Sequence, residues 1–149
     1  MIKHLRDLWI LKDCGILIFS KVQHHHTDDQ CLGGLTSALY YFTQKGLHEK
    51  LERFTTDKHE YILVEKENLL FLATFPPKIR DKTALHELHF VADKFLKNYP
   101  KDIIEEWDHN MNLFIDFDKV IRPKSEILGE FISTLWNHRR SSVCSNHSF

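Results

Sequence analysis

Hydrophobic positions along the chain change period twice. Leu8–Leu11 and Ile16–Phe19 are continuous apolar runs separated by Lys12-Asp13-Cys14-Gly15, whose Asp and Gly suit a tight turn. A strand solvated on one face alternates, and these runs do not, so they predict a β-hairpin with helices on both faces. From Gln30 to Gln44 the period becomes helical: Leu32, Leu35, Leu39 and Phe42 recur at three and four residues, and Cys31, Ala38 and Tyr41 widen that side. This side is expected to cover the sheet. The opposite side, Gly33, Thr36, Ser37, Tyr40 and Gln44, is small and uncharged where a surface helix ordinarily carries Lys and Glu. It is expected to be covered by something else. Thr27, Asp28 and Asp29 are each suited to cap this helix, and Gly46 is a natural stop.

Beyond it, Leu47–Thr55 sets Leu47, Leu51 and Phe54 among charges, the profile of a partly exposed strand near an edge. Tyr61–Val64 and Leu69–Phe75 flank Glu65-Lys66-Glu67-Asn68 as a further hairpin, and Pro76-Pro77 ends the sheet because proline cannot donate to a ladder. The second half returns to a helical period. One helix is expected from Asp81 or Thr83 through Tyr99, and one from Ile103 through Ile121, carrying Trp107, Met111, Phe114, Phe117 and Val120. A last helix carries Ile127, Leu128, Phe131, Ile132, Leu135 and Trp136. The order β-β-α-β-β-β-α-α-α predicts an α/β fold: a five-stranded, mainly antiparallel sheet with one helix on one face and the later helices on the other. Residues 1–136 form the domain in this reading, and the Ser-rich 137–149 is expected to be a flexible tail.

Composition sharpens this only at its limits. At 149 residues the chain fits one domain with a core of its own. Its 20 basic and 21 acidic residues nearly cancel, so the chain as a whole has no electrostatic footprint for nucleic acid, though a local basic patch remains open. Cys14, Cys31 and Cys144 are too few and too scattered for a disulfide framework and read as free thiols in a reducing compartment. Lys3, Arg6, Asp7 and Lys12 interrupt the N-terminal apolar runs, which match neither a signal peptide nor a membrane span. A cytoplasmic location is expected.

The opening hairpin Leu8–Phe19, followed by Gly33-Gly34-Leu35-Thr36-Ser37-Ala38-Leu39, resembles a single-domain longin protein. Leu69–Thr74 and Phe114-Ile-Asp-Phe-Asp-Lys-Val120 are also similar to the small subunits of clathrin adaptor complexes, which share that fold. The resemblance implies a longin/profilin-like α-β-α sandwich with strand order 2-1-5-4-3. It implies a noncatalytic protein-interaction module of membrane trafficking or small-GTPase regulation, with a small GTPase, SNARE or coat component as partner and at most peripheral membrane contact. Many such modules dimerise, as homodimers or longin heterodimers, bringing first helices together and continuing the sheet through edge strands.

His24-His25-His26, with Cys31 or with Asp28 and Asp29, offers zinc-type donors, but in no familiar spacing. A metal-binding enzyme or sensor built on this loop is one alternative function, and a vesicle-coat adaptor small subunit is another. His86-Glu87-Leu88-His89 lacks the second His at the fourth position that a zinc-protease helix requires, since residue 90 is Phe. Cys31 sits where a helix dipole lowers a thiol pKa, yet it belongs to the apolar side and is expected to be packed. Asp116 and Asp118, with Glu105, Glu106 and Asp108, are expected to face water. His138-Arg139-Arg140 is a weak basic patch, and Cys144 is in no prenylation box. No catalytic residue, metal or cofactor is expected.

Gly33 and Gly34 each cost a helix interior about 1 kcal/mol, which asks for a reason such as close approach of another backbone. The expected protein interface is therefore Gly33, Thr36, Ser37, Tyr40 and Gln44, with Tyr40 as its aromatic anchor. Backbone groups of Leu47–Thr55, or of Ile16–Ser20 at a sheet edge, would add strand pairing.

Overall fold

The structure, a computed structural model, describes residues 2–23, 28–122 and 132–136. Strands β1 (Asp7–Lys12) and β2 (Leu17–Lys21) form the opening hairpin. Helix α1 (Asp29–Tyr41) follows and widens into a π-helical turn, Phe42–Leu47. Strands β3 (Arg53–Thr55), β4 (Glu60–Lys66) and β5 (Leu69–Thr74) complete an all-antiparallel sheet in the order β2-β1-β5-β4-β3. Helix α2 (Asp81–Asn98) is followed by three short segments: α3 (Lys101–Glu105), a 3-10 turn (Met111–Phe114) and α4 (Phe117–Ile121).

The continuous apolar runs are explained by a sheet covered on both faces. Leu8 and Ile10 of β1 join Phe71, Leu88, Val91, Phe95, Phe114 and Phe117 on the side of α2. Trp9 and Leu11 join Leu17, Leu32, Leu63, Leu70 and Leu72 on the side of α1, where Tyr40, Leu51, Phe54 and Tyr61 pack against them. The β4–β5 connection takes the form expected of a two-residue hairpin: Glu67 and Asn68 both have positive φ, at 50° and 61°, matching the sheet twist. Glu87 of α2 is 3% exposed among these apolar side chains. Its carboxylate accepts the backbone N–H groups of Lys3, His4 and Leu5 at 3.0–3.2 Å and lies 2.7 Å from His4 Nδ1, which fastens the N-terminal segment to the core.

Three expectations are corrected. The long strand over Leu47–Thr55 is only Arg53–Thr55, because Leu51 turns onto the sheet face and ladder pairing begins where Glu52 O accepts Leu63 N–H at 2.9 Å. The single helix over Ile103–Ile121 is broken at Trp107–Asn110. There the indole of Trp107 donates to Asn110 O at 2.8 Å, His109 takes φ 67°, and Asn110 caps the next turn by accepting Asn112 N–H. Gly46 does not end the first helix: the chain passes it and stops at His48, whose φ is 56°. Of the last expected helix, residues 132–136 are helical, with Ile132, Leu135 and Trp136 exposed. Pro123–Phe131 and the expected tail 137–149, with Cys144 and the His138-Arg139-Arg140 patch, lie outside the described residues.

Candidate functional site: the outward side of the first helix

Helix α1 is fixed at both ends of its contact with the sheet. Asp28 caps it, its side chain accepting the N–H groups of Gln30 and Cys31 at 3.1 Å. These bonds, chiefly the one from Cys31, hold the Asp28 carboxyl below the usual carboxylate range. Asp29 then ties the helix to both strands of the hairpin: Trp9 Nε1 donates to one carboxylate oxygen at 2.8 Å and Ser20 Oγ to the other at 3.0 Å. One turn later Gly33 meets the hairpin turn. A Cβ there would sit 2.8 Å from Gly15 O and 3.1 Å from Leu11 Cδ2, and Gly15 itself takes φ +90°, so the two glycines let helix and turn backbones touch.

This contact decides which side of α1 faces the sheet, and it is turned from the one expected: Leu32 is buried and Leu39 partly so, as expected, but Gly33 and Thr36 face the sheet in place of Leu35 and Phe42. Gly33 and Thr36 are buried together with Leu32. Thr36 can be enclosed because its hydroxyl donates back to Leu32 O at 2.8 Å. Ser37 donates to Asp13 O at 2.5 Å, across to the hairpin turn. Tyr40 packs half-buried against the core on this side, and burial raises its phenol pKa. Gln44 is exposed, its amide donating to Tyr40 Oη at 2.7 Å. Small residues thus bring the helix close, while the larger apolar ones face out: Leu35 is 53% exposed, Tyr41 66%, Phe42 58% and Leu47 49%. Cys31, Gly34 and Ala38 lie on the same outer side.

Gly33 and Thr36 are therefore occupied by the chain itself, Ser37 and Tyr40 flank the inner contact, and Gln44 lies at its margin. The residues left uncovered are Leu35, Ala38, Tyr41, Phe42 and Leu47, which hydrophobic spacing alone assigns to the core or to the next strand. Gly34, unlike Gly33, has open space where a Cβ would stand. A shallow hollow lined by Asp13, Cys14, Gly34, Ser37, Ala38 and Tyr41 runs between the hairpin turn and this outer side.

Cys31 is exposed and free, not packed as expected. Its hydrogen bond to Asp28 raises the thiol pKa, because the capping carboxylate disfavours a thiolate beside it. Among the described residues no group of three His, Cys, Asp or Glu side chains is placed to hold a metal ion, and His24–His26 lie outside those residues. Glu87 is consumed by backbone N–H groups, and Asp118 by Lys21 at 3.3 Å and Arg122 at 2.8 Å. Among the described residues no helix is long and apolar enough to cross a membrane.

Sheet order, hairpin and helix placement together define a longin-like α/β fold. Among solved structures it is similar to MglB of Myxococcus xanthus, at 16% identity and a TM-score of 0.52 over 64% of this chain and 83% of that one. It is also similar to a Roadblock/LC7 domain from Streptomyces avermitilis, at 11% identity and a TM-score of 0.50 over 66% of this chain and 87% of that one. The sequence matches no protein-family model and no curated protein.

Proposed function

We propose that the chain is a noncatalytic protein-interaction module of the longin type, serving small-GTPase regulation or membrane trafficking, and that it docks partners on the outer side of α1. The observation that carries this reading is the row Leu35, Tyr41 and Phe42, large apolar side chains more than half exposed on a stretch without charged residues from Gln30 to Gln44, continued by Leu47 at 49%. Each large one, half exposed, keeps on the order of 1 kcal/mol of burial free energy in reserve for a partner. A face without charge is also self-complementary, since two copies meet with no like charges opposed, so a second copy ranks beside a small GTPase as occupant. The short edge strand β3 and the edge strand β2 offer backbone groups to extend such a contact.

The test is capture from native lysate with and without guanine nucleotides, alongside sedimentation of the purified chain, for wild type and Leu35→Glu. Nucleotide-dependent recovery of a small GTPase, or self-association, each lost in the variant, supports the reading. A variant that folds and keeps every wild-type interaction refutes it, as does a wild-type chain that binds nothing and stays monomeric.

A further inference from the structure

At the end of the sheet opposite the hairpin turn, the N-terminal segment, the end of β2, Pro76 and the end of α4 enclose a cleft of about 490 Å³. Its charged and basic lining is Lys3, His4, Arg6 and Lys21, over a floor of Ile2, Leu5, Pro76 and Ile121, and among the described residues no acidic side chain lines it. In a chain with formal net charge −1, that is a local concentration of positive charge.

Three carboxylates beside the cleft are already engaged, and Arg6 also borders the adjoining cleft that Asp7, Asp57, Glu60 and Asp81 line. Glu87 takes the N–H groups of Lys3, His4 and Leu5 and the ring of His4. Asp7 accepts Gln23 N–H at 2.9 Å and the Thr74 hydroxyl at 2.6 Å. Asp118 sits between Lys21 and Arg122. Among the described residues Lys3 and Arg6 have no carboxylate partner, while Glu87 holds the backbone between them so that both side chains stay at the cleft. Lys3 and Arg6, converging without a carboxylate partner, are arranged for an anion, and a guanidinium beside an ammonium suits a phosphoryl group.

We propose that this cleft binds a phosphate-bearing anion, with Lys3 and Arg6 as its principal contacts and Lys21 in support. Two sources share that chemistry: a phosphorylated lipid headgroup at a membrane surface and a soluble phosphate ester. Vesicles of phosphatidylcholine with and without phosphatidylinositol phosphate, and soluble inositol phosphate followed by calorimetry, distinguish them. Binding to the phosphoinositide vesicles alone assigns the lipid; binding to both shows that the soluble headgroup suffices.

In either case Lys3→Gln with Arg6→Gln is expected to weaken binding about 30-fold at low ionic strength. Lys97→Gln, on the exposed far end of α2, is expected to leave it within about twofold. Among the described residues neither Lys3 nor Arg6 makes a side-chain bond that the fold depends on, so circular dichroism should match wild type. Absence of binding to every probe, or equal binding by wild type and the double variant, or an equal loss in Lys97→Gln, overturns the proposal.

Discussion

Replacing Gly33 and Gly34 one at a time by Ala places the same methyl once against the hairpin turn and once, about 100° around α1, in open space. Each substitution removes a glycine from a helix interior and gains up to about 1 kcal/mol of helix propensity. At Gly34 nothing lies within 4 Å of the new Cβ, so the gain is realised in full. At Gly33 the Cβ would stand 2.8 Å from Gly15 O, a backbone atom, and Gly15 is held at φ +90° by the hairpin turn. Relief requires the helix to lift from the sheet, and overpacking of this kind costs about 1–3 kcal/mol. We expect Gly33→Ala to be destabilised by about 1–2 kcal/mol net and Gly34→Ala to be stabilised by about 1, a separation of roughly 2–3 kcal/mol between isomeric variants. Urea unfolding followed by the fluorescence of buried Trp9 measures it. Equal stability of the two variants, or a Gly34→Ala less stable than Gly33→Ala, would falsify the orientation of α1 on which the docking surface rests.

Other expected outcomes follow from single contacts. Glu87→Ala should cost about 3 kcal/mol or more, since hydrogen bonds to a charged group are worth about 1.5–3 kcal/mol each and three part-buried N–H groups lose their acceptor; the Lys3, His4 and Leu5 amides should lose hydrogen-exchange protection. Asp29→Ala should cost about 1–3 kcal/mol and shift the Trp9 indole N–H resonance, because two donors on separate strands lose one acceptor. Asp28 has a folded pKa below its unfolded one, so its contribution is present above the unfolded pKa and disappears as pH falls through the folded value. Acid titration of Asp28→Ala, followed by circular dichroism, should therefore show a flatter loss of stability below pH about 4 than wild type. A parallel loss in the two proteins would contradict that role for the cap.

The strands were legible because burial on both faces leaves a continuous apolar run, which no surface strand shows. The side of α1 facing the sheet was not. With no charge on either side, hydrophobic spacing was the only guide, and it ranks Leu35 and Phe42 above Gly33 and Thr36. Close packing ranks them the other way, since only small residues admit the hairpin turn. The signal that was present lay in pairing Gly33 with Gly15, two glycines that meet in space across a turn and a helix.

Glu87 carried a signal as well. Flanked at helical spacing by the apolar Ala84 and Val91, it stands on the buried side of α2, where a carboxylate requires partners. The break after α3 was foreshadowed by Asp108-His109-Asn110, residue types that tolerate the left-handed conformation His109 adopts.

Tyr40 and Tyr41, adjacent in sequence, separate the two sides of α1 most directly, and the same substitution in each isolates the docking claim. Tyr41→Glu is expected to unfold in urea within about 0.5 kcal/mol of wild type and to lose self-association and partner capture. Tyr40→Glu, which forces a carboxylate against the apolar cluster between α1 and the sheet, is expected to lose stability by more than about 2 kcal/mol. A stable Tyr41→Glu that still associates and captures partners as wild type does would contradict the account.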